Sequence, residues 1–172
     1  MTTFETMLEK VQSALSEETP TRYLQATAVL TDHGNVYVAI SRDESDWGYD
    51  DLITMLKAKG ETRILKMVTM WKDGGLDFAS MKFRESVYRM NKENVETEIL
   101  LVLEEERSSV KKMINTLPIY TIELLKGKYK DWSKAKKALD AMEKYIEQHG
   151  MSFADDVLRA TAPEIWKDIC GR

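Results

Sequence analysis

Five acidic side chains, Asp43, Glu44, Asp46, Asp50 and Asp51, crowd one short stretch of the chain. Carboxylates at that density can attract a hard cation such as magnesium or calcium, but the stretch lacks the alternating, Gly-centred spacing of a dedicated calcium loop. A solvated acidic rim is the simpler role. Trp47 and Tyr49 interrupt the cluster and either stack on a flat ligand or cover a sheet edge. Arg84, near the start of a predicted helix, either reaches a phosphate or carboxylate or pairs with Asp77 or Glu85. Soft-metal chemistry is limited by count: one cysteine, Cys170, and two histidines, His33 and His149, stand far apart without the paired close spacings of a zinc site. No metal and no cofactor are expected. The one basic run, KGKYKDWSKAKK, lies at a helix start where its lysines can point to solvent, so nucleic acid is not expected as a partner.

These residues sit in a chain of 172 residues with a formal charge of -4 and the two signs interleaved. That length suits one domain plus an appendage. A lone cysteine allows no internal disulfide, which fits a reducing, cytoplasmic setting. The opening MTTFETMLEKVQSALSEE has acidic residues where a signal peptide needs basic ones, and no segment reaches membrane-spanning length. A soluble protein without membrane partners is expected.

The elements that must position the chemistry follow from periodicity. Phe4, Met7, Val11 and Leu15 predict an amphipathic helix, with Thr2 and Glu5 as a capping box. Leu24, Ala26, Ala28 and Leu30 then alternate toward a turn at Asp32-His33-Gly34-Asn35, and Val36, Val38 and Ile40 return from it as a hairpin. LITMLKAKG predicts a short helix ended by Gly60, and TRILKMVTMW a central strand closed by the KDGG turn. Ser80 caps a helix bearing Phe83, Val87 and Met90, which leads into the strand TEILLVL; strand, helix, strand implies a parallel pair. ERSSVKKMINTLPIY reads as a fifth strand with a short helix. Trp132, Ala135, Leu139, Met142 and Ile146 mark a helix ended by Gly150. One or two more helical turns follow, with Ser152 and Asp155 as a capping pair and a restart at Pro163. The expected boundary lies near Lys126, giving an α/β domain over 1–126 and a helical extension over 127–172. The apolar stripe of that extension has to be buried on the domain's sheet or on a neighbouring subunit.

Between Tyr23 and Tyr120 the order of elements and the local sequences resemble those of the cytidine and blasticidin-S deaminases. AVLTDHGNVYVAIS is similar to the hairpin of that family, SMKFRESVYRMNKENVETEILLV to its helix-to-strand segment, and TLPIYT to its Leu-Pro segment. The resemblance implies a three-layer fold, a mixed sheet of about five strands with helices on both faces.

It also implies where the chemistry should be. Zinc deaminases hold the metal through one ligand at the first helix and two thiolates at the second, and a water takes the fourth position. In this chain the thiolate positions fall on Ser80 and Phe83, and the first-helix position falls near Gly48 or Tyr49. None of these is a thiolate or an imidazole. The proton-shuttling Glu of the family falls closest to Asp50 or Asp51, which also serve as ordinary helix-start carboxylates. The ribose-binding Asn-x-Glu falls on Ser41 and Asp43, and the candidate ligand-binding residues are Ser41, Asp43, Ser80 and Arg84. The expected protein is therefore zinc-free and catalytically inactive, acts in nucleoside-like small-molecule binding or in assembly, and forms a homo-oligomer. The alternative is a hydrolase or deaminase with a remodelled pocket around Ser41, Asp50 and Ser80.

Overall fold

The computed structural model describes residues 3–42, 49–103, 107–128 and 132–170. The chain divides into two compact units, Met1–Met113 and Ile114–Arg172. The division falls ahead of the boundary expected near Lys126.

In the first unit, helix α1 (Phe4–Ser16) is capped by Thr3, whose hydroxyl accepts from the Thr6 amide at 3.4 Å. Thr3 therefore takes the cap expected of Thr2, which lies outside the described residues. Met7 and Val11 of α1 are fully buried and pack on Ala26, Ala28, Leu30, Val68 and Leu100. Burial of each such side chain stabilises the fold by about 1.5–3 kcal/mol.

The sheet beneath α1 has strands β1 (Gln25–Thr31), β2 (Val36–Ser41), β3 (Ile64–Trp71), β4 (Leu76–Asp77), β5 (Glu98–Leu103) and β6 (Arg107–Lys112). Their order is β2-β1-β3-β5-β6, and β4 pairs with β3. The expected β3–β5 pair is parallel, while the other pairings are antiparallel. A sixth strand arises because the KDGG turn brings Leu76 and Asp77 back onto β3.

Side chains alternate across a strand, so the even positions of β1 that face α1 leave Gln25, Thr27, Val29 and Thr31 on the opposite face. Helices α2 (Tyr49–Lys59) and α3 (Met81–Met90) cover that face, as the contact between Tyr49 of α2 and Thr27 records. The result is three layers: helix, mixed sheet, helices. Gly60 ends α2 at φ 70°, a backbone conformation most other residues avoid.

Two buried polar groups lock the layers. Asn94, fully buried in the 3₁₀ turn Lys92–Glu96, donates to Thr62 O at 3.0 Å and Val87 O at 2.8 Å and accepts from the Ile64 amide at 2.8 Å. It ties the end of α3 to the start of β3. Glu61 accepts from the Thr31 hydroxyl at 2.6 Å, Tyr37 OH at 2.8 Å and Asn35 Nδ2 at 2.9 Å, which fastens the end of α2 to the hairpin turn.

The second unit contains α4 (Pro118–Lys128), α5 (Trp132–His149), α6 (Ala154–Thr161) and α7 (Pro163–Cys170). The stripe Ala135, Leu139 and Met142 of α5 is buried with Ile122, Leu125, Leu158 and Ile165. These helices therefore supply a core of their own for the stripe that sequence assigned to a sheet or a neighbouring subunit. Ile122 and Leu125 of α4 belong to that core, which is why α4 falls on the helical side of the division. Ser152 does not cap α6: Phe153 holds that position in the left-handed region at φ 63°, without a side-chain cap bond. Among the described residues no helix is long and apolar enough to cross a membrane.

Candidate functional site

At one end of the sheet β2 stops at Ser41, β1 begins at Gln25 and β3 stops at Trp71, and these three residues are register partners. The first turns of α2 and α3 meet beside them. Tyr49 opens α2, and its ring stacks on Phe83 of α3 with centroids 4.3 Å apart and planes inclined by 24°. Both residues are nearly inaccessible, at 3% and 2% exposure. The Tyr49 hydroxyl shares a 3.1 Å hydrogen bond with the Thr27 hydroxyl, which shares another of 2.7 Å with Thr69. Burial raises the Tyr49 phenol above its ordinary pKa, against the opposing effect of the Thr27 bond. The phenol therefore stays neutral and serves as the end of a hydroxyl chain running across β1 and β3.

Ser80 is the N-cap of α3: its Oγ accepts from the Phe83 amide at 3.2 Å. That bond satisfies one of the free amides of the helix start. Arg84 is buried one turn into the helix. Its Nε donates to Ala79 O at 2.9 Å, and the guanidinium lies 5.0 Å above the Phe78 ring. Desolvation pushes its pKa down to about 10, with the charge of Asp77 pulling the other way. Of the two pairing partners considered from sequence, Asp77 acts on Arg84 through its field, whereas Glu85 binds Arg89 at 2.8 Å.

The acidic candidates point outward. Asp50 lies 3.9 Å from Lys82 with both side chains largely exposed, a geometry that contributes little to stability. Asp51 is also exposed and lines a groove of about 330 Å³ along the outer edge of β2, together with Val38, Ala39, Ile40, Arg42, Leu52 and Met55. Asp43 and the other members of the acidic stretch up to Gly48 lie outside the described residues. Ser41 is buried at 1% exposure at the end of β2. Ser41, Asp50 and Ser80 therefore occupy three settings: a buried strand end, an exposed helix turn and a helix cap. Among the described residues no group of three or more His, Cys, Asp or Glu side chains is arranged to hold a metal ion.

Sequence reasoning passed over Gln25. Its side chain is 3% exposed, and its Oε1 is fully buried with no hydrogen-bond partner among the described residues. An unpaired buried acceptor costs about 1–3 kcal/mol relative to a paired one. The signal was present in the odd positions of β1, where Gln25, Thr27 and Thr31 interrupt a strand otherwise built from apolar residues. A polar row on the covered face of an interior strand marks a buried polar cluster.

No protein-family model matches the sequence, and no curated protein matches it either. Solved structures do share its fold. It is similar to the crystal structure of cytidine deaminase from Mycobacterium leprae, with a TM-score of 0.53 at 16% identity, over 69% of this chain and 99% of that one. Cytidine deaminase from Burkholderia pseudomallei matches with a TM-score of 0.51 at 16% identity, over 68% of this chain and 98% of that one. The enzyme from Mycobacterium tuberculosis matches with a TM-score of 0.51 at 15% identity, over 69% and 96%. The chain has the fold of cytidine deaminases.

Proposed function

We propose that this protein uses the cytidine-deaminase fold without zinc, to bind a nucleoside-like small molecule rather than to deaminate it. The Tyr49–Phe83 stack carries the reading. By the sequence resemblance, a first metal ligand belongs near Tyr49 and the two thiolates at Ser80 and Phe83. Two aromatic rings in contact at 4.3 Å fill the space between those helix starts with carbon, and the Ser80 hydroxyl is engaged as a cap. Neither a phenyl ring nor a neutral hydroxyl substitutes for a thiolate on zinc. The residues present do not fit the metal, and without it no group at this place lowers the pKa of a water to make a nucleophile.

Binding is supported by what remains polar. Gln25 Oε1 is buried and has no partner among the described residues, its register partner Ser41 is buried beside it, and both stand at the carboxyl end of β3, where open α/β sheets receive ligands. A hydroxyl from a ligand satisfies the Gln25 amide in either of its two orientations. The remodelled-enzyme alternative gains no comparable support, because Ser80 is engaged as a cap and Asp50 faces Lys82 at the surface.

Elemental analysis of the purified protein, paired with deamination assays on cytidine and deoxycytidine, tests the first half. Substoichiometric zinc and no conversion are expected; one zinc per chain on native residues, or turnover, overturns it. Thermal unfolding with millimolar cytidine, uridine or adenosine tests the second half. A ligand at a hundred times its Kd stabilises by about 2.7 kcal/mol, and no shift with any of the three removes the binding claim.

A further inference from the structure

We propose that two copies of this chain join edge to edge through β2, antiparallel across a two-fold axis, extending the sheet from one subunit into the next. The two outer strands of the sheet are β2 and β6, and they differ in sequence. Within its six residues β6 carries Arg107, Lys111 and Lys112, the charges that keep an exposed edge from pairing with another chain. The six residues of β2, Val36-Tyr37-Val38-Ala39-Ile40-Ser41, include no charge and no proline. They pair with β1 in unbroken register without a bulge. Alternate peptide groups of β2 therefore point away from β1, and among the described residues no strand pairs with them.

The surroundings of this edge fit a second copy of the same chain. Asp51, Met55 and Lys59 stand four residues apart along α2, on one helix face. Asp51 and Met55 line the groove of about 330 Å³ beside β2, and Lys59 Nζ sits 5.5 Å from the centre of the Tyr37 ring of β2. Asp51 thus stands near one end of the edge, beside Arg42, whose guanidinium Glu18 already binds. Lys59 stands near the other, where the Glu61 carboxylate is already taken by Thr31, Tyr37 and Asn35; the stretch between is apolar. A two-fold axis through Ala39 sets Val38 opposite Ile40, Tyr37 opposite Ser41 and Met55 opposite Met55. It also brings the Asp51 end of each copy to the Lys59 end of the other. Such a surface is its own complement, which an isologous interface requires. A small residue on the axis lets the strands close to the usual spacing of about 4.8 Å.

Sedimentation of the full chain over a concentration series reads the association directly, and the expected species has twice the 19.8 kDa chain mass. Lys59→Asp sets like charges against each other twice in the dimer and is expected to raise the dimer Kd at least roughly tenfold, since like-charge juxtaposition across an interface is strongly unfavourable. Both side chains are exposed, but Lys59 lies in the last turn of α2 over the Tyr37 ring, so thermal unfolding is measured alongside to confirm that the variant is folded at the temperature of the sedimentation run. Asp51→Lys combined with Lys59→Asp restores the alternation and is expected to recover the wild-type Kd. A wild-type chain that stays monomeric at 100 µM overturns the proposal. So does a dimer indifferent to Lys59→Asp, or one that the double exchange fails to restore. None of these outcomes depends on whether a nucleoside binds at the sheet end, so the two readings fail separately.

Discussion

Truncating Phe83 to alanine probes the centre of the candidate site. The ring is 2% exposed and stacks on Tyr49 at 4.3 Å, so its removal opens a cavity at the meeting point of α2 and α3. Phe→Ala changes in cores cost about 3–5 kcal/mol, of which the ring pair supplies about 0.5–1.5 kcal/mol. At about 4–8 °C per kcal/mol for a domain near 100 residues, the α/β unit should melt roughly 12–40 °C lower. Urea unfolding of wild type, Phe83→Ala, Tyr49→Ala and the double variant separates the ring–ring part as a coupling energy. A loss below about 1 kcal/mol for Phe83→Ala, against the core expectation, would refute the claim that the two rings fill this space. A coupling indistinguishable from zero would refute the stack itself.

Three further outcomes follow from groups elsewhere. Asn94→Ala leaves the Ile64 amide without its side-chain partner, while the Val87 carbonyl keeps the Asn91 amide, and at about 1–3 kcal/mol per unsatisfied buried group it should destabilise the α/β unit by roughly 1–3 kcal/mol; denaturant titration reads this. Glu61 has its pKa lowered, chiefly by the Thr31 hydroxyl and then by Tyr37 and Asn35. A carboxylate whose folded pKa is depressed stabilises above its unfolded pKa and loses that contribution as pH falls through the folded value. Glu61→Gln should accordingly lower stability at neutral pH and flatten the acid limb of the stability curve measured by thermal unfolding. Asp155 is the opposite case: burial raises its pKa against the Thr121 hydrogen bond, and its Oδ1 lacks a partner among the described residues. Its favourable contribution is present at low pH and is lost as pH rises through the raised value. Asp155→Asn should therefore raise the melting temperature of the helical unit at pH 7, with the gain shrinking toward pH 3.

The sequence made the core strands legible because they are either strictly alternating, as in the hairpin, or continuously apolar, as in TRILKMVTMW and TEILLVL. Ser80 was legible as a cap because a hydroxyl ahead of an amphipathic stretch has few other local uses. What escaped depended on contacts distant in sequence. Thr27, Thr69 and Tyr49 join only when β1, β3 and α2 have been assembled, and no spacing rule links positions that far apart. The place of α4 in the second unit escaped for a different reason: PIYTIELLKGK is apolar on several sides, so it shows no stripe, and only the burial of Ile122 and Leu125 with α5 and α6 assigns it to the helical core. Phe153 shows a third kind of miss. A polar serine one position earlier satisfied the usual capping preference, yet the chain places a strained phenylalanine there.

The two halves of the site now support each other physically. A catalytic metal centre holds polar donors in place at a cost to stability, whereas here the starts of α2 and α3 are closed by a stacked apolar pair and a satisfied helix cap. Polar groups stand two register positions from the Thr27 row that Tyr49 touches, at Gln25 and Ser41. On the proposed reading, that separation would remove the reaction and keep a place to bind, because an aromatic plug takes away the donors a metal needs without touching the sheet-end groups a ligand would meet. Gln25→Leu tests the separation itself. Removing an unpaired buried acceptor should leave the free protein as stable as wild type or more so. The same change should abolish any nucleoside-dependent rise in melting temperature and leave the Tyr49–Phe83 coupling unchanged. A variant that binds as wild type does would place the ligand elsewhere and leave the orphaned oxygen without a role.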